Sequence, residues 1–216
     1  MAECGKFITF EGTEGCGKST QIAALRNQLA DHGIDSLLTR EPGGTDVGEK
    51  IRDLLQYAPE GEGMTSESEL LLFTASRAQL VREVIAPALE EGKWVIADRF
   101  FDSTTIYQGI GRGLDLEAVK TINRFAVGGC YPEITILLDI DAKLGHQRAT
   151  SASGAKRDRM ESQPPEFYEA VRSGYLDLAK EEPDRFSVIE ADQPIDKVSK
   201  EIWKVCQPLL NQESDE

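Results

Sequence analysis

The sequence predicts an α/β fold, a parallel five-stranded sheet flanked by helices. Three observations lead there. Short apolar runs alternate with stretches of helical periodicity along the whole chain, an order that implies crossover connections and therefore parallel strands. One run, Glu133 to Asp139 (EITILLD), is apolar without alternation, as a strand covered on both faces requires. A glycine-rich stretch ending in Lys18-Ser19 lies between the first apolar run and the first helical pattern, the place for an anion-binding turn.

In chain order, Phe7-Ile8-Thr9-Phe10 predicts a short buried strand, and Ile22, Leu25 and Leu29 recur on one face of a helix that Gly33 stops. Ser36 to Thr39 predicts the second strand. Val47, Ile51, Leu54 and Leu55 mark a second helix, followed by a breaker-rich loop from Pro59 to Gly63. Ser66 with Glu69 three residues on reads as a capping box, opening a long helix that Gly92 closes. Trp94 to Ala97 is the third strand, Leu116 to Ala126 a helix, and Glu133 to Asp139 the fourth strand. Phe167, Val171, Tyr175 and Leu178 share a helix face, Phe186 to Ile189 form the fifth strand, and Val198, Ile202, Val205 and Leu209 the last helix. Ligands of such a sheet bind beyond the C-terminal ends of its strands.

With 216 residues and 40% hydrophobic content, the chain suits one core, so residues 1–216 are expected to form a single domain. Two segments break the rhythm. Thr150 to Arg159 (TSASGAKRDR), small and polar and then basic, suits a lid, placed at about residues 149–160, and residues 212–216 read as a disordered acidic tail. The formal charge of −14, from 24 basic and 38 acidic side chains, repels nucleic acid and anionic membranes, so neither is an expected partner. No apolar run approaches the ~20 residues of a membrane span and no signal segment is evident, so a cytoplasmic protein is expected. Cys4, Cys16, Cys130 and Cys206 lie far apart, with only His32 and His146 to help bind a metal, and read as free thiols.

The stretch FEGTEGCGKST, Phe10 to Thr20, matches G-x-x-x-x-G-K-[ST] in the strand–turn–helix setting that gives the motif its meaning. Gly12, Thr13, Gly15, Cys16 and Gly17 turn backbone N–H groups toward one anion, and the helix N-terminus at Lys18, Ser19 and Thr20 adds its partial positive charge. Lys18 would span the β- and γ-phosphates of ATP, and the Ser19 hydroxyl would take a place on magnesium. The fold class is therefore P-loop NTPase-like, with a lid segment. A GTP switch would need N-K-x-D and D-x-x-G, and neither occurs. The third strand ends in Asp98-Arg99. Asp98 is placed to hold magnesium through a bound water, and Arg99 offers a fixed cation for a second phosphate, unless the two form a surface ion pair. Glu11 and Glu14 pose a question, because a phosphate cradle has no evident use for carboxylates.

Further cations point the same way. Arg40 ends the second strand in a turn-rich loop. Arg77 lies four residues after Phe73 and shares its helix face, so the pair could stack on a flat ring and read its edge, or could be a core phenylalanine with a surface arginine. Lys156, Arg157 and Arg159 make the lid basic, as closure over a transferring phosphoryl group requires, unless they are a solvated charge run. No nucleophile–base pair is evident. A phosphomonoester acceptor needs none, since its second pKa of about 6 leaves it largely dianionic at neutral pH.

F-E-G-T-E-G-C-G-K-S-T, T-R-E-P-G-G-T (Thr39 to Thr45), L-L-L-F-T-A-S-R-A-Q (Leu70 to Gln79), D-R-F-F-D-S-T-T-I-Y-Q-G (Asp98 to Gly109) and D-R-M-E (Asp158 to Glu161) together resemble the bacterial thymidylate kinase family. The resemblance implies ATP and dTMP as substrates, a homodimer, and a set of residue roles. Phe73 would stack on thymine, Arg77 would donate to its O4, and Thr104 would meet N3, with Gln108 in the same motif on the substrate side. Tyr107 would pack against the deoxyribose, Arg99 with Arg40 would hold the acceptor phosphate, and Glu14 would accept from the 3′-hydroxyl. Glu11 would support the loop, and adenine would rest near Asp192 and Gln193. The family places a catalytic arginine either in the P-loop or in the lid. Thr13, Glu14, Gly15 and Cys16 include none, which implies the lid type, with Arg157, then Lys156, then Arg148 as the cation. The chain departs from the pattern in its neutral mid-lid and at Ile106, where a smaller residue is usual. A kinase for another monophosphate or a nucleoside, and a non-enzymatic ATP-binding regulator, are the rival readings.

Overall fold

The computed structural model describes residues 5–152 and 163–210. Five parallel strands, β1 (Phe7–Glu11), β2 (Ser36–Arg40), β3 (Trp94–Asp98), β4 (Ile134–Asp139) and β5 (Phe186–Glu190), lie in the order β2-β3-β1-β4-β5. Each strand after β1 follows a helical connection, as parallel pairing demands. β1 sits at the centre, with Phe10 in register with Asp98 of β3 and Glu11 with Leu137 of β4. The connections that follow β1 and its neighbour β3 cover opposite faces of the sheet, and the crevice between those two strand ends is the place for a ligand.

Period-two alternation sorts β1 between two helical layers. Ile8 and Phe10 face α1 (Lys18–Asp31) and α9 (Ile195–Cys206) through Ile22, Leu25, Leu29, Val198 and Ile202. Phe7 faces the opposite layer, where Leu80, Ile85 and Phe100 pack on Val95 and Ala97. Beyond the predicted boundaries β1 extends to Glu11 and β2 to Arg40, so both strands end on charged residues at the crevice.

The second layer contains α2 (Asp46–Gln56), α3 (Ser66–Leu80), α4 (Ala86–Glu90) and α6 (Leu116–Val127). The capping reading needs correction. The cap of α3 is Thr65, whose Oγ1 accepts from Ser68 N–H at 3.3 Å, while Glu69 is buried and turned inward. α3 continues into α4 through a π-helical turn, Val81–Ile85, closed by Ala86 N–H to Val81 O. Pro87, one residue on, has no N–H to give, and the widened turn carries the chain past it. After β3 the chain forms α5 (Phe101–Thr104) and a π-helical stretch, Thr105–Gly111, that apolar periodicity did not announce. α7 (Ala142–Ala152) leads toward the predicted lid, whose residues 153–160, with Lys156, Arg157 and Arg159, lie outside the described residues, as does the expected tail. α8 (Pro165–Glu181) returns from it. Ile106 packs against Gly174 of α8, where an added Cβ would lie 3.4 Å from its methyl carbon.

Candidate active site

The anion cradle follows from its glycines. Gly12 has φ +136° and Gly15 φ +74°, both in the region that side chains avoid. A Cβ on Gly12 would come within 2.5 Å of Leu138 O, and one on Gly15 within 2.0 Å of Gly145 O on α7, so the loop packs backbone to backbone. Gly17, also left-handed, is the N-cap of α1, which aims the helix N-terminus along the loop. Lys18 Nζ lies over this turn, donating to Gly12 O at 3.1 Å and Thr13 O at 3.2 Å. Thr20, Cys16, Gly17 and Gln193 line a cleft of about 350 Å³ beside the turn, with Arg148 at its edge. There Arg148 pairs with Asp192 at 2.7 Å, and Gln193 shares the cleft with Cys16 and Gly17 of the turn.

A larger cleft of about 390 Å³ opens on the other side of Lys18. Its walls include Glu14, Ser19, Arg40, Phe73, Arg77, Asp98, Arg99, Thr104, Tyr107 and Gln108, so most residues assigned to acceptor and metal converge on one space. Arg99 is at its centre. It has φ +68°, and that left-handed backbone in a non-glycine residue stores strain at the site. The guanidinium donates to Glu14 Oε1 at 2.7 Å, Ser103 Oγ at 3.1 Å and Tyr107 OH at 3.2 Å, and lies 5.1 Å over the Tyr107 ring. Burial works against charge on both partners but is outweighed, for Arg99 by Tyr107 and then Glu14. The Glu14 carboxyl titrates below its ordinary range, with Arg99 and then Lys18 overcoming desolvation, and Arg99 is held well above its own.

The two puzzling carboxylates have separate uses. Glu14 faces the large cleft, where Tyr107 OH also donates to it at 3.0 Å. Glu11 is fully buried and supports the turn after β3 rather than its own loop. It accepts from Phe100 N–H at 2.8 Å, Ser103 Oγ at 2.6 Å and Tyr175 OH at 2.6 Å. Desolvation, with Asp102 nearby, raises its pKa.

Arg77 is no surface residue, being 1% exposed. Its Nε donates to both Glu41 oxygens, the shorter contact 2.9 Å, while Nη1 donates to Asn123 Oδ1 at 2.9 Å and Nη2 to Thr104 Oγ1 at 2.8 Å. Most of its donors are thus committed to protein, and it meets the cleft as a clamped charged plane beside Phe73. Burial pushes Glu41 up to about 7 against the opposing pull of Arg77. Arg40 also lines the cleft but points both bonds of its Nη2 at Glu49, each 2.9 Å, in an exposed pair.

Sequence reasoning missed Glu41, Asn123, Ser103, Tyr175 and the cleft-lining Arg52. Glu41 carried a signal, an acid between Arg40 and a turn. Tyr175 was hidden in an apolar stripe, since periodicity reports the ring and not the hydroxyl.

Phosphate cradle and cation-lined cleft face each other on one parallel sheet, an arrangement that defines a P-loop phosphotransferase with a second, anionic substrate. A family profile described as thymidylate kinase matches residues 10–202. The chain is 49% identical over 198 residues to the thymidylate kinase of Desulfosudis oleivorans, covering 89% of this chain and 92% of that protein. It is 46% identical over 207 residues to that of Caldanaerobacter subterraneus subsp. tengcongensis, covering 95% and 97%. The crystal structure of thymidylate kinase from Ehrlichia chaffeensis superposes with a TM-score of 0.75 at 39% identity, covering 94% of this chain and 99% of that one. The chain belongs to the thymidylate kinase family, and its activity is that of a dTMP kinase.

Proposed function

We propose that the chain transfers the γ-phosphoryl group of ATP to thymidine 5′-monophosphate by holding the two nucleotides end to end over Lys18 and Arg99. The observation that supports this most is the continuity of the 390 Å³ cleft, which runs from Lys18 and Ser19 past Arg99 to Phe73, Arg77 and Thr104. In this reading Phe73 stacks on thymine, Arg77 presents a donor toward O4, Thr104 and Gln108 meet the N3 edge, and Tyr107 packs on the deoxyribose. Glu14 accepts from the 3′-hydroxyl, so the carboxylate serves the sugar and not the phosphate. Arg99, with Arg40 at the rim, holds the acceptor phosphate. Adenine lies in the smaller cleft near Gln193. The acceptor dianion attacks in line and needs no base, which suits a cleft rich in cations and without histidine.

The residues fit magnesium. Asp98 Oδ1 is buried without a hydrogen-bond partner and shares the cleft with Ser19, and magnesium is commonly held by one or two carboxylates together with substrate phosphates. Ser19 and Asp98 would hold the ion, which supplies charge neutralisation for the phosphates when bound. The transferring group's further cation comes from the lid, with Arg157 favoured over Lys156. Arg148 is third, and its pairing with Asp192 supports that ranking. Exposed Leu71 on α3 and Phe125 on the neighbouring α6 support a homodimer. The free thiols of Cys16 and Cys206 are in keeping with a cytoplasmic location, and no described helix is long and apolar enough to cross a membrane.

A coupled assay of ADP release with thymidylate, deoxyuridylate, deoxycytidylate, AMP and thymidine tests this reading. Release that is greatest with thymidylate is expected. Preference for another acceptor, or silence with intact ATP binding, overturns it.

A further inference from the structure

Behind the base end of the cleft lies a carboxylate with no assigned role. Glu69, on α3 one turn before Phe73, is 1% exposed, and its Oε1 accepts from Gln108 Nε2 at 2.8 Å. Arg112 Nε also donates to Oε1, at 3.2 Å, and Arg112 Nη2 to Oε2 at 3.4 Å. An ionised carboxylate only accepts hydrogen bonds, so the atom of Gln108 that faces Glu69 has to be the amide nitrogen. That removes the ambiguity of a glutamine side chain, whose two ends are otherwise interchangeable in shape. Gln108 is itself 1% exposed and lines the cleft with Thr104 and Tyr107. With its nitrogen committed behind, its Oε1 is the end left for the cleft, and none of the described residues donates to it.

We infer that Glu69 is a positioning residue for base choice, holding the Gln108 amide so that a carbonyl oxygen and not an NH2 group meets the ring edge of the acceptor. This rests on the reading of the cleft as a nucleotide acceptor site. The chemistry that matches is a pyrimidine whose N3 carries a proton, as in thymine and uracil. Cytosine presents a bare N3 lone pair to the same oxygen, and repulsion with an unmet acceptor disfavours it. Glu69 touches no substrate in this arrangement and acts only through Gln108.

The test is Glu69→Gln, which lets either amide end face Gln108 and so frees Gln108 to turn. The ratio of kcat/KM for thymidylate over deoxycytidylate is expected to fall about tenfold or more, carried by a raised KM for thymidylate, with kcat for thymidylate within about threefold of wild type. Arg112→Gln, which removes a different partner of Glu69 and leaves the Gln108 contact, is expected to lower Tm while the ratio stays within about twofold. If Glu69→Gln keeps the wild-type ratio, or Arg112→Gln lowers it equally, the assignment is wrong. Should Glu69→Gln fail to fold, Gln108→Met decides, since an unchanged ratio there removes the amide from base choice and Glu69 with it. Wild type that ignores thymidylate sinks the functional reading itself. Wild type that prefers thymidylate, with variants that keep the preference, sinks only the role of Glu69.

Discussion

The glycine cradle and the cation-lined cleft share Lys18 and the Glu14 turn, yet they are built by different means. The cradle is made of backbone, with the six residues between β1 and α1 bent at Gly12, Gly15 and Gly17. The cleft is made of side chains from the ends of β2 and β3, from α3, and from the π-helical stretch, with Tyr175 of α8 behind them. Backbone amides carry their partial charges wherever the fold puts them. Guanidinium groups must be held, and here both Arg99 and Arg77 have a carboxylate against them, Glu14 with Glu11 for half-buried Arg99 and Glu41 for buried Arg77. An acidic chain can therefore line an anion site, provided its acids stand behind or beside its cations.

That contrast can be broken in descending order of effect. Arg99→Ala removes the hub of the cleft and is expected to lower kcat/KM for thymidylate about 10³-fold while ATP affinity changes little. An equal collapse of ATP binding, measured by titration without acceptor, would show that the two regions are one. Gly15→Ala is the opposite probe. Its Cβ would strike Gly145 O and its φ of +74° would be strained, and a cradle displaced by about 1 Å is expected to cost about 10²-fold in turnover. Thymidylate binding to the ATP-free protein should survive, and its loss would tie cradle geometry to the acceptor side.

Arg77→Ala should raise the acceptor KM about 10- to 100-fold and relax base choice, and should also cost about 3 kcal/mol of stability by leaving Glu41 buried and unpaired. Denaturant unfolding compared with acceptor kinetics separates the two effects. An unchanged substrate profile would leave Arg77 a structural ion only. The smallest effect is in pH. Glu41 binds its proton more tightly in the fold, near 7, than at its ordinary 4.5. Wild-type stability relative to Glu41→Gln should therefore decline as pH rises from about 4.5 to about 7, and be flat above. A difference that stays flat across that window and changes only below about 4.5 would mean that Arg77 lowers the Glu41 pKa outright.

Legibility in the sequence followed the same division. The strands, the phosphate turn and most cleft residues were readable because each depends on neighbours within a few positions or on a motif of known spacing. The misses share a cause. Glu69 looked like a capping partner because Ser66 stands three residues before it, but Thr65 caps the helix, and Glu69 is freed to meet Gln108, 39 residues on. Tyr175 looked like core, yet its hydroxyl reaches Glu11, 164 residues away. Asn123 sat unremarked within a helix, and only the packing of α6 on α3 brings it to Arg77.

The sequence by itself determined the alternation of strand and helix, the anion cradle and the cations available to a second phosphate, because periodicity, glycine and charge act locally. Only the tertiary structure decided which carboxylate backs which arginine and which way the Gln108 amide points. Those choices depend on the desolvation of polar groups that meet across the sheet and between helices, and a buried donor or acceptor finds its partner by proximity in space, whatever the distance along the chain.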